Sequence, residues 1–331
     1  MDNYMPPFEI TNSMLDKVSS IMKKIGTLDN YKDLNKMPVL RRNNRIKSIH
    51  SSLAIEENSL SFNQVKDVID GKLVVGSRKE IQEVKNAYEA YLKMMEVNPY
   101  SLTDLKKMHG ILTNLTVEES GKFRTHNEGV FDEDGNCIHV CPPPEQVDGL
   151  MKQLFSFMKN NKDNIHPLIL SSIFHYEFVF IHPFSDGNGR TARLWQNVIL
   201  ANWEDIFEYV PIESQIIKYQ DEYYTAINNC NLKGNSTEFI LFMLRMIDYV
   251  LDDLVSGVSN ASNHVSFYVS RLLDVMEYGV RYTTVELMEL LNMKSRGSFR
   301  DNYLLPAISN GLVKMSFPDS PSSRNQTYYR E

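Results

Sequence analysis

The chain has 331 residues and a formal net charge of −7, from 35 Lys and Arg against 42 Asp and Glu, so it lacks an overall positive field that would attract nucleic acid or anionic lipid. Hydrophobic residues make up 42% and charged residues 23% of the chain, a composition that excludes a disordered or collagen-like protein. The length favours one large domain, or a core with an appendage.

The N-terminal residues and the apolar runs give no sign of a targeting or membrane segment. The sequence MDNYMPPFEI lacks a basic stretch followed by an apolar one, and apolar runs such as 168–174 and 239–244 are too short to cross a bilayer. We therefore expect a cytoplasmic protein that does not engage a membrane. Its cysteines fit reduced thiols, and Cys137, His139 and Cys141 match no common zinc spacing.

Helical periodicity dominates the chain from 13 to 256 and predicts a bundle-like α-helical core. Three start signals recur before apolar-periodic stretches, namely Ser61-x-x-Gln64, Ser77-x-x-Glu80 and Ser101-x-x-Asp104. Each resembles a capping box, in which a hydroxyl and a later acidic or amide side chain satisfy the free N–H groups of a helix start.

One β-hairpin is predicted to interrupt the helices. Val130-Phe131 and the segment 137–140 flank Asp134-Gly135, which is a strong hairpin turn signal, and the prolines at 142–144 end the second strand. Helices are then predicted at 144–161 and 166–181. The second of these is apolar on nearly all sides, as expected of a buried element.

The segment 182–193, HPFSDGNGRTAR, carries the residues that suggest chemistry. It precedes an apolar-periodic stretch, so its exposed N–H groups and the positive end of a helix dipole would attract an anion. Gly187 and Gly189 would let a phosphate approach the backbone closely. Arg190 and Arg193 are three residues apart and share a helix face, where their guanidinium groups suit phosphate oxygens.

Two other residues of this segment predict a metal and a base. Asp186 is the only acid in the turn, and a carboxylate beside phosphates is a typical Mg²⁺ ligand. Pro183 disfavours a helical conformation at His182, which ends the helix there and places an imidazole beside the anion site. His182 is therefore a candidate general base.

The string HPFSDGNGRTAR resembles the signature of Fic-domain proteins, H-P-F-x-[D/E]-G-N-G-R-x-x-R, at every defining position. The resemblance implies a Fic-type helical core and the transfer of AMP from ATP to a protein hydroxyl, with release of pyrophosphate. It also implies that His182 takes the proton of a Tyr, Ser or Thr hydroxyl and that Asp186 holds Mg²⁺ against the α- and β-phosphates.

The same resemblance implies further contacts with the nucleotide. Asn188 and the amides of the two glycines would form an anion hole, Arg190 would bind the β-phosphate and Arg193 the γ-phosphate. The hairpin resembles the Fic flap, which registers an extended target segment by strand addition. Three later residues have the spacing of an adenine pocket: Tyr223, Tyr224 and Asn231.

A second resemblance lies upstream, in the string SLAIEEN. It is similar to the Fic inhibitory motif [S/T]-x-x-x-E-[G/N], with Ser52 and Glu56 four residues apart on one helix face. The resemblance implies that Glu56 pairs with Arg193 and blocks the γ-phosphate. Glu57 departs from the motif, which has Gly or Asn at this position, although Asn58 follows.

The C-terminal residues predict a separate small domain. The segment 255–264 is small and polar and suggests a linker. Helical signals then follow, including Thr283-x-x-Glu286 and the stretch 298–310, before two short strands at 312–317 and 326–330. This is the element order of a winged helix.

The predicted protein is therefore mainly α, with an N-terminal helical region at 1–98 that carries the inhibitory helix, a Fic core at 99–258 and a winged-helix-like domain at 259–331. Its expected partners are ATP, Mg²⁺, a hydroxyl-bearing protein target and the chain itself, with a second copy of the chain as a further candidate. Two alternatives stay open. One is removal of AMP, or transfer of another nucleotidyl or phosphodiester group. The other is a DNA-binding regulator whose core senses nucleotide, although residues 262–331 carry a net charge of only +1, from eight basic and seven acidic residues.

Overall fold

The computed structural model describes residues 4–30, 38–131, 135, 137–264, 267–309, 311–318, 320–321 and 323–330. The chain forms two compact units, Met1–Asp252 and Asp253–Glu331. Helices of the first unit, the last of which extends beyond it, are α1 (Asn12–Asn30), α2 (Pro38–Ile55), α3 (Phe62–Ile69), α4 (Arg78–Lys93), α5 (Leu102–Leu112), α6 (Pro144–Asn161), α7 (Pro167–Ile181), α8 (Asn188–Trp203), α9 (Glu213–Ile216), α10 (Gln220–Lys233) and α11 (Thr237–His264). Short 3₁₀ turns lie at Met94–Glu96, Asp205–Glu208 and Ile217–Tyr219.

The mainly helical fold predicted from the sequence is confirmed, and its helix starts follow the predicted signals. Ser61 before α3 and Ser77 before α4 each form a complete capping box. Ser101 before α5 accepts the N–H of Asp104, but the Asp104 carboxylate accepts the N–H of Asn98 instead of closing a box. Aspartate is one methylene shorter than the glutamate that normally closes this motif.

Helix α7 forms the centre of the first unit. Twelve of its fifteen residues are buried, and it packs against α6 and α8. Phe174 and Phe178 stack along it with ring centroids 5.7 Å apart, and each such side chain contributes about 1.5 to 3 kcal/mol by leaving water. A rigid, buried helix therefore carries the loop that follows it.

The N-terminal helix, α1, is joined to α11 by hydrogen bonds to one buried carboxylate. Asp248 is 3% exposed and receives bonds from Lys17 (2.7 Å), Ser20 (2.7 Å) and Lys24 (2.6 Å) of α1. Although burial opposes its charge, these donors lower the pKa of Asp248. The carboxylate therefore stays ionised and joins the two helices.

The predicted hairpin is present as β1 (Gly129–Phe131) and β2 (Cys137–Val140), which pair antiparallel with an irregularity between Val130 and Phe131. Asp134 of its predicted turn lies outside the described residues, whereas Gly135 has the positive φ of 81° that the turn requires. Each strand of a two-stranded sheet has one unpaired edge, so the hairpin offers backbone donors and acceptors to an extended segment.

The predicted linker at 255–264 is wrong, because α11 continues without a break to His264. The segment holds one glycine and no proline. A single glycine costs a helix only about 1 kcal/mol, and extending an existing helix is far easier than starting one. Small polar residues alone therefore did not end the helix.

The second unit has the predicted order of helices followed by a two-stranded sheet. Its elements are α12 (Phe267–Val275), α13 (Thr284–Leu290), α14 (Arg296–Phe299), a π-helical turn (Arg300–Leu304), α15 (Leu305–Ser309), β3 (Lys314–Met315) and β4 (Tyr328–Tyr329). Thr283 closes a capping box with Glu286 before α13. The predicted helix at 298–310 is interrupted by the π turn, because Pro306 has no N–H to continue the regular ladder. Leu272, Leu287 and Phe299 are fully buried at the centre of this unit.

No helix in the described part of the chain is both long and apolar enough to span a lipid bilayer.

Candidate active site

The candidate site lies where α7 ends and α8 begins, in the predicted segment 182–193. His182 ends α7 with left-handed backbone angles, φ 50° and ψ 60°, and its N–H donates to the Phe178 carbonyl. Pro183 explains why the helix ends here, since the residue before a proline avoids the helical conformation. Burial is the main cause that lowers the pKa of His182. The imidazole is therefore neutral near pH 7 and can accept a proton.

His182 keeps an unused ring nitrogen. Its Nδ1 is buried and has no hydrogen-bond partner among the described residues. Buried polar atoms without partners are rare, and a catalytic role is one of the reasons for them. A neutral, under-bonded imidazole at a helix end has the chemistry of a general base.

The loop between the two helices is held in shape by Asn188. Its Oδ1 accepts the N–H of Phe184 at 3.0 Å, and its Nδ2 donates to the Phe184 carbonyl at 2.7 Å. Asn188 is 3% exposed, so its amide side chain is committed to the loop. The main-chain N–H groups at the start of α8 are then the donors that remain for an anion.

His109 of α5 packs against this loop and was not identified from the sequence. Its ring stacks on Phe184 with centroids 3.5 Å apart, its Nε2 lies 2.9 Å from the Asp186 carbonyl, and its Nδ1 accepts the N–H of Gly121. A carbonyl can only accept, so Nε2 carries the proton. Burial lowers the pKa of His109 to about 4, which keeps this single neutral tautomer. A lone histidine on a helix carries no sequence signal for such a role.

The Asp186 carboxylate is partly committed and partly available. Its Oδ1 accepts the N–H of Gly187 at 2.5 Å and a bond from Arg190 at 3.0 Å. Its Oδ2 lies 3.9 Å from the ammonium of Lys79, and 43% of its side chain is exposed. The described residues contain no cluster of three or more His, Cys, Asp or Glu able to hold a metal. An accessible carboxylate oxygen still fits Mg²⁺, which completes its octahedron with water and phosphate oxygens.

The first arginine of the segment, Arg190, is buried and already paired. Its Nη1 donates to Glu83 at 2.9 Å and its Nη2 to Asp186 at 3.0 Å, while its Nε is buried without a partner among the described residues. Asn58 donates to the second oxygen of Glu83 at 2.9 Å. Glu83 was not identified from the sequence, because α4 meets α8 only in the folded chain.

The second arginine, Arg193, is 2% exposed and meets the end of α2. Its Nη2 donates to Glu56 Oε1 at 2.7 Å and to the Ser52 carbonyl at 3.0 Å, and its Nε donates to Ser52 Oγ at 3.1 Å. Burial opposes its charge, but the Glu56 carboxylate together with Tyr223 and Tyr224 raises the pKa of Arg193. A methyl group on Gly189 would lie 2.2 Å from Glu56 Oε1. The start of α8 thus holds a carboxylate in close contact.

The turn that ends α2 explains the departure at Glu57. The N–H of Asn58 donates to the Leu53 carbonyl and that of Glu57 to the Ala54 carbonyl, which is the hydrogen-bond pattern of a Schellman motif. Glu57 has φ 64°, in the left-handed region that glycine and asparagine adopt most readily. This backbone conformation explains why the related motif has glycine or asparagine at this position.

The three residues predicted for an adenine pocket differ in their surroundings. Tyr223 is 2% exposed, and its hydroxyl bonds His175 Nε2 at 2.9 Å. Tyr224 is 45% exposed, and its hydroxyl donates to the Ile55 carbonyl at 3.4 Å, at the end of α2. Asn231 accepts the Tyr176 hydroxyl at 3.0 Å. It lies roughly 12 Å further along α10 than Tyr223.

Arg124 joins the end of α7 to the base of the hairpin and was also missed. It is 2% exposed and donates to the carbonyls of His182 (2.7 Å), His126 (2.8 Å) and Pro142 (2.6 Å). Its own N–H donates to the Pro183 carbonyl. A cation at the C-terminal end of α7 is favoured by the helix dipole. The hairpin is therefore anchored beside His182.

Comparisons with known proteins agree on one family. Residues 99–200 match the Fic/DOC family, and residues 268–330 match the C-terminal domain of the Fic-like "filamentation induced by cAMP" proteins. A crystal structure of a Fic family protein from Desulfovibrio desulfuricans G20 is 38% identical, with a TM-score of 0.76 over 99% of this chain and 98% of that one.

Curated relatives carry the name protein adenylyltransferase Fic. The Nematostella vectensis protein is 28% identical over 267 residues, which is 76% of this chain and 58% of that protein. The Caenorhabditis elegans protein adenylyltransferase fic-1 is 26% identical over 77% of this chain and 49% of its own length. The chain thus spans about half the length of the curated relatives it matches.

Proposed function

This chain belongs to the Fic family, and we propose that it is a protein adenylyltransferase. In the proposed reaction, a Tyr, Ser or Thr hydroxyl of a protein target attacks the α-phosphate of ATP, AMP is transferred to that oxygen, and pyrophosphate leaves. The chain itself is one proposed target. The names of the curated relatives support this reaction class.

One observation carries the proposal: the start of α8 already holds an anionic group. The Glu56 carboxylate lies against Gly189 and bonds Arg193, at the positive end of a helix dipole. A phosphate is also an anion with several acceptor oxygens, and it suits the same donors. The residues present therefore fit a nucleotide triphosphate.

The proposed roles divide between proton transfer and charge neutralisation. His182 takes the proton of the incoming hydroxyl, and the buried ring is already neutral for this purpose. Asp186 offers its accessible oxygen to Mg²⁺, which when bound would neutralise phosphate charge. The proposed phosphate donors are Arg190, Arg193 and the main-chain amides of Gly187, Asn188 and Gly189, of which the Gly187 amide lies just before α8 and donates to Asp186 Oδ1.

Transfer of this kind depends on placing the reactants and stabilising charge rather than on an activated protein nucleophile. The loop that places the base is pinned by His109, Asn188 and Arg124. We further propose that Tyr223, Tyr224 and Asn231 face the adenine ring of ATP. Tyr224 is the member of this set whose hydroxyl reaches the end of α2.

Glu56 is proposed to inhibit the enzyme by occupying the place of the γ-phosphate. Its bond to Arg193, with Ser52 alongside, occupies the Nη2 and Nε donors of the guanidinium, which a triphosphate would otherwise use. Because both ligands are anions competing for one cation, displacement of Glu56 and binding of ATP are linked events.

A second candidate reaction removes the modification: water hydrolyses an AMP-modified side chain to the free hydroxyl and AMP. The observation that favours it is the same Glu56 carboxylate, since a carboxylate beside the anion site can orient a water molecule. Mass spectrometry of an AMP-modified substrate incubated with the chain tests this candidate, which predicts loss of AMP that depends on Glu56.

The hairpin is proposed to register the target. Val140 of β2 is 78% exposed and Ile138 is 38% exposed, and an extended segment can pair with a free strand edge. Arg124 anchors the open end of this hairpin next to His182, the proposed general base. The target hydroxyl would then be delivered next to the imidazole.

For the C-terminal part we propose a winged-helix-type module at 259–331, beside a core at 99–258 and the inhibitory region at 1–98. The element order supports it, and the basic residues suited to DNA phosphates are Lys294, Arg296, Arg300 and Arg324. Pairing with a second copy of the chain is the competing role. Electrophoretic shifts that require a particular DNA sequence would favour DNA binding, whereas shifts lost at moderate salt without sequence preference would oppose it.

The proposed reaction is tested with ATP labelled on its α-phosphate. Glu56→Gly is expected to raise self-labelling above that of the parent, and adding His182→Ala to this variant is expected to abolish it. Arg193→Ala is expected to weaken both ATP binding and inhibition. Labelling that is indifferent to Glu56→Gly and to His182→Ala would refute the proposal, as would a γ-label transferred instead of the α-label.

A further inference from the structure

Glu83 of α4 is a buried carboxylate between two groups that both donate hydrogen bonds. It is 9% exposed. Its Oε1 accepts from Arg190 at 2.9 Å and its Oε2 accepts from Asn58 at 2.9 Å. A carboxylate that has lost contact with water needs such partners on both oxygens.

On one side, Glu83 determines the orientation of Arg190. The guanidinium donates through Nη1 to Glu83 and through Nη2 to Asp186, and its planar geometry makes two such contacts restrictive. The buried Nε has no partner among the described residues. Arg190 is therefore held by two carboxylates from different elements, with its Nε unused.

On the other side, Glu83 holds the turn that carries Glu56. Asn58 is 8% exposed. Its Nδ2 donates to Glu83 and to the Glu80 carbonyl (3.3 Å), and its Oδ1 accepts the N–H of Leu60. Asn58 belongs to the Schellman turn through its own N–H, only two residues after Glu56.

We propose that Glu83 is a positioning residue that joins the inhibitory turn to the phosphate site: it orients Arg190 and, through Asn58, fastens the turn from which Glu56 reaches Arg193. This inference rests on the proposed function. It adds that inhibition depends on a second connection, Asn58–Glu83–Arg190, beside the direct bond of Glu56 to Arg193.

The substitution Glu83→Gln tests this role by turning one acceptor of the side chain into a donor. Both neighbours of the carboxylate are donors, so a glutamine can accept from one of them while its NH₂ group faces the other, donor against donor. The size of the side chain is unchanged. Glu89→Gln is the matched control, because Glu89 lies on the same helix and is exposed, and among the described residues it pairs only with Lys93.

The first experiment measures the affinity for ATP with Mg²⁺ by calorimetry, in the parent and in Glu56→Gly. Asn58→Ala is expected to tighten ATP binding roughly fivefold in the parent by loosening inhibition, and to leave Glu56→Gly unchanged. Glu83→Gln added to Glu56→Gly is expected to weaken ATP binding roughly tenfold. Equal effects of Asn58→Ala in both backgrounds, or no effect of Glu83→Gln, would overturn the inference.

The second experiment needs no nucleotide. Hydrogen exchange of the amides at 53–58 is expected to be faster in Glu83→Gln than in the parent and unchanged in Glu89→Gln. Unchanged exchange in Glu83→Gln would overturn the inference whatever the enzyme does. If Glu56→Gly binds ATP but transfers no AMP, the proposed function fails while these readouts still decide the role of Glu83.

Discussion

Glu57 is the position where we expect a single substitution to strengthen the proposed inhibition by Glu56. Its φ of 64° places a non-glycine residue in the left-handed region, which costs about 1 kcal/mol or somewhat more. The side chain is exposed, and within the described residues its carboxylate makes no hydrogen bond or ion pair that the substitution would remove. Glu57→Gly should therefore stabilise the turn that carries Glu56 by about 1 kcal/mol.

A change of about 1 kcal/mol shifts the ratio of engaged to released Glu56 roughly fivefold. The basal rate of self-labelling from α-labelled ATP is expected to fall by that factor. Glu57→Gln is the matched control, since it removes the same charge but keeps the Cβ atom and the backbone penalty. In the Glu56→Gly background, where no inhibitory carboxylate remains, Glu57→Gly should leave the rate unchanged.

The comparison of these variants separates backbone strain from charge. If Glu57→Gly and Glu57→Gln lowered or raised the rate equally, the charge of Glu57 would be the cause and the argument from φ would be refuted. An unchanged rate in Glu57→Gly would show that Glu56 leaves Arg193 by a side-chain rotation with the turn intact.

Three further predictions follow from burial and close contact. Burial lowers the pKa of His182 from its ordinary value of 6.5. In Glu56→Gly, kcat/KM should therefore fall on the acid side only below pH 6.5, as the imidazole becomes protonated. A fall with a midpoint above pH 6.5 would contradict the assignment of His182 as the base. A methyl group at Gly189 meets the Glu56 carboxylate at 2.2 Å, so Gly189→Ala should displace Glu56 yet also lower ATP affinity; normal affinity in calorimetry would exclude an anion at this place. Burial raises the pKa of Glu177 from 4.5 to about 7, so the native state keeps a proton that the unfolded state releases, and stability should fall by about 3 kcal/mol as pH rises through that window. Urea unfolding of Glu177→Gln should lose this dependence, and an unaltered dependence would assign it to other groups.

Features that depend on residues close together in the sequence could be predicted from the sequence alone. Ser61 and Ser77 predicted helix starts because a capping box is completed within four residues, and the hairpin was predicted from its turn signal and from the prolines that end its second strand. The segment 182–193 could be interpreted because its glycines, arginines and imidazole are neighbours in sequence. The false linker at 255–264 shows where composition misleads, since nothing in those residues ends a helix.

The supporting residues depend on contacts between distant elements. His109 reaches the Asp186 carbonyl across 77 positions, and Arg124 reaches the His182 carbonyl across 58. Glu83 meets Arg190 across 107. A histidine, an arginine and a glutamate on amphipathic or irregular segments have no pattern of their own that would distinguish them from ordinary polar residues.

The sequence by itself determined the helical class and the hairpin, and it predicted an anion site at 182–193, because each depends on residues within one or two turns of one another. Only the tertiary structure decided which partners the two arginines meet, that Asn188 is committed to the loop, and that Glu57 is strained. The physical reason is that burial and close approach across elements set hydrogen bonds and pKa values, and neither is a property of a local segment.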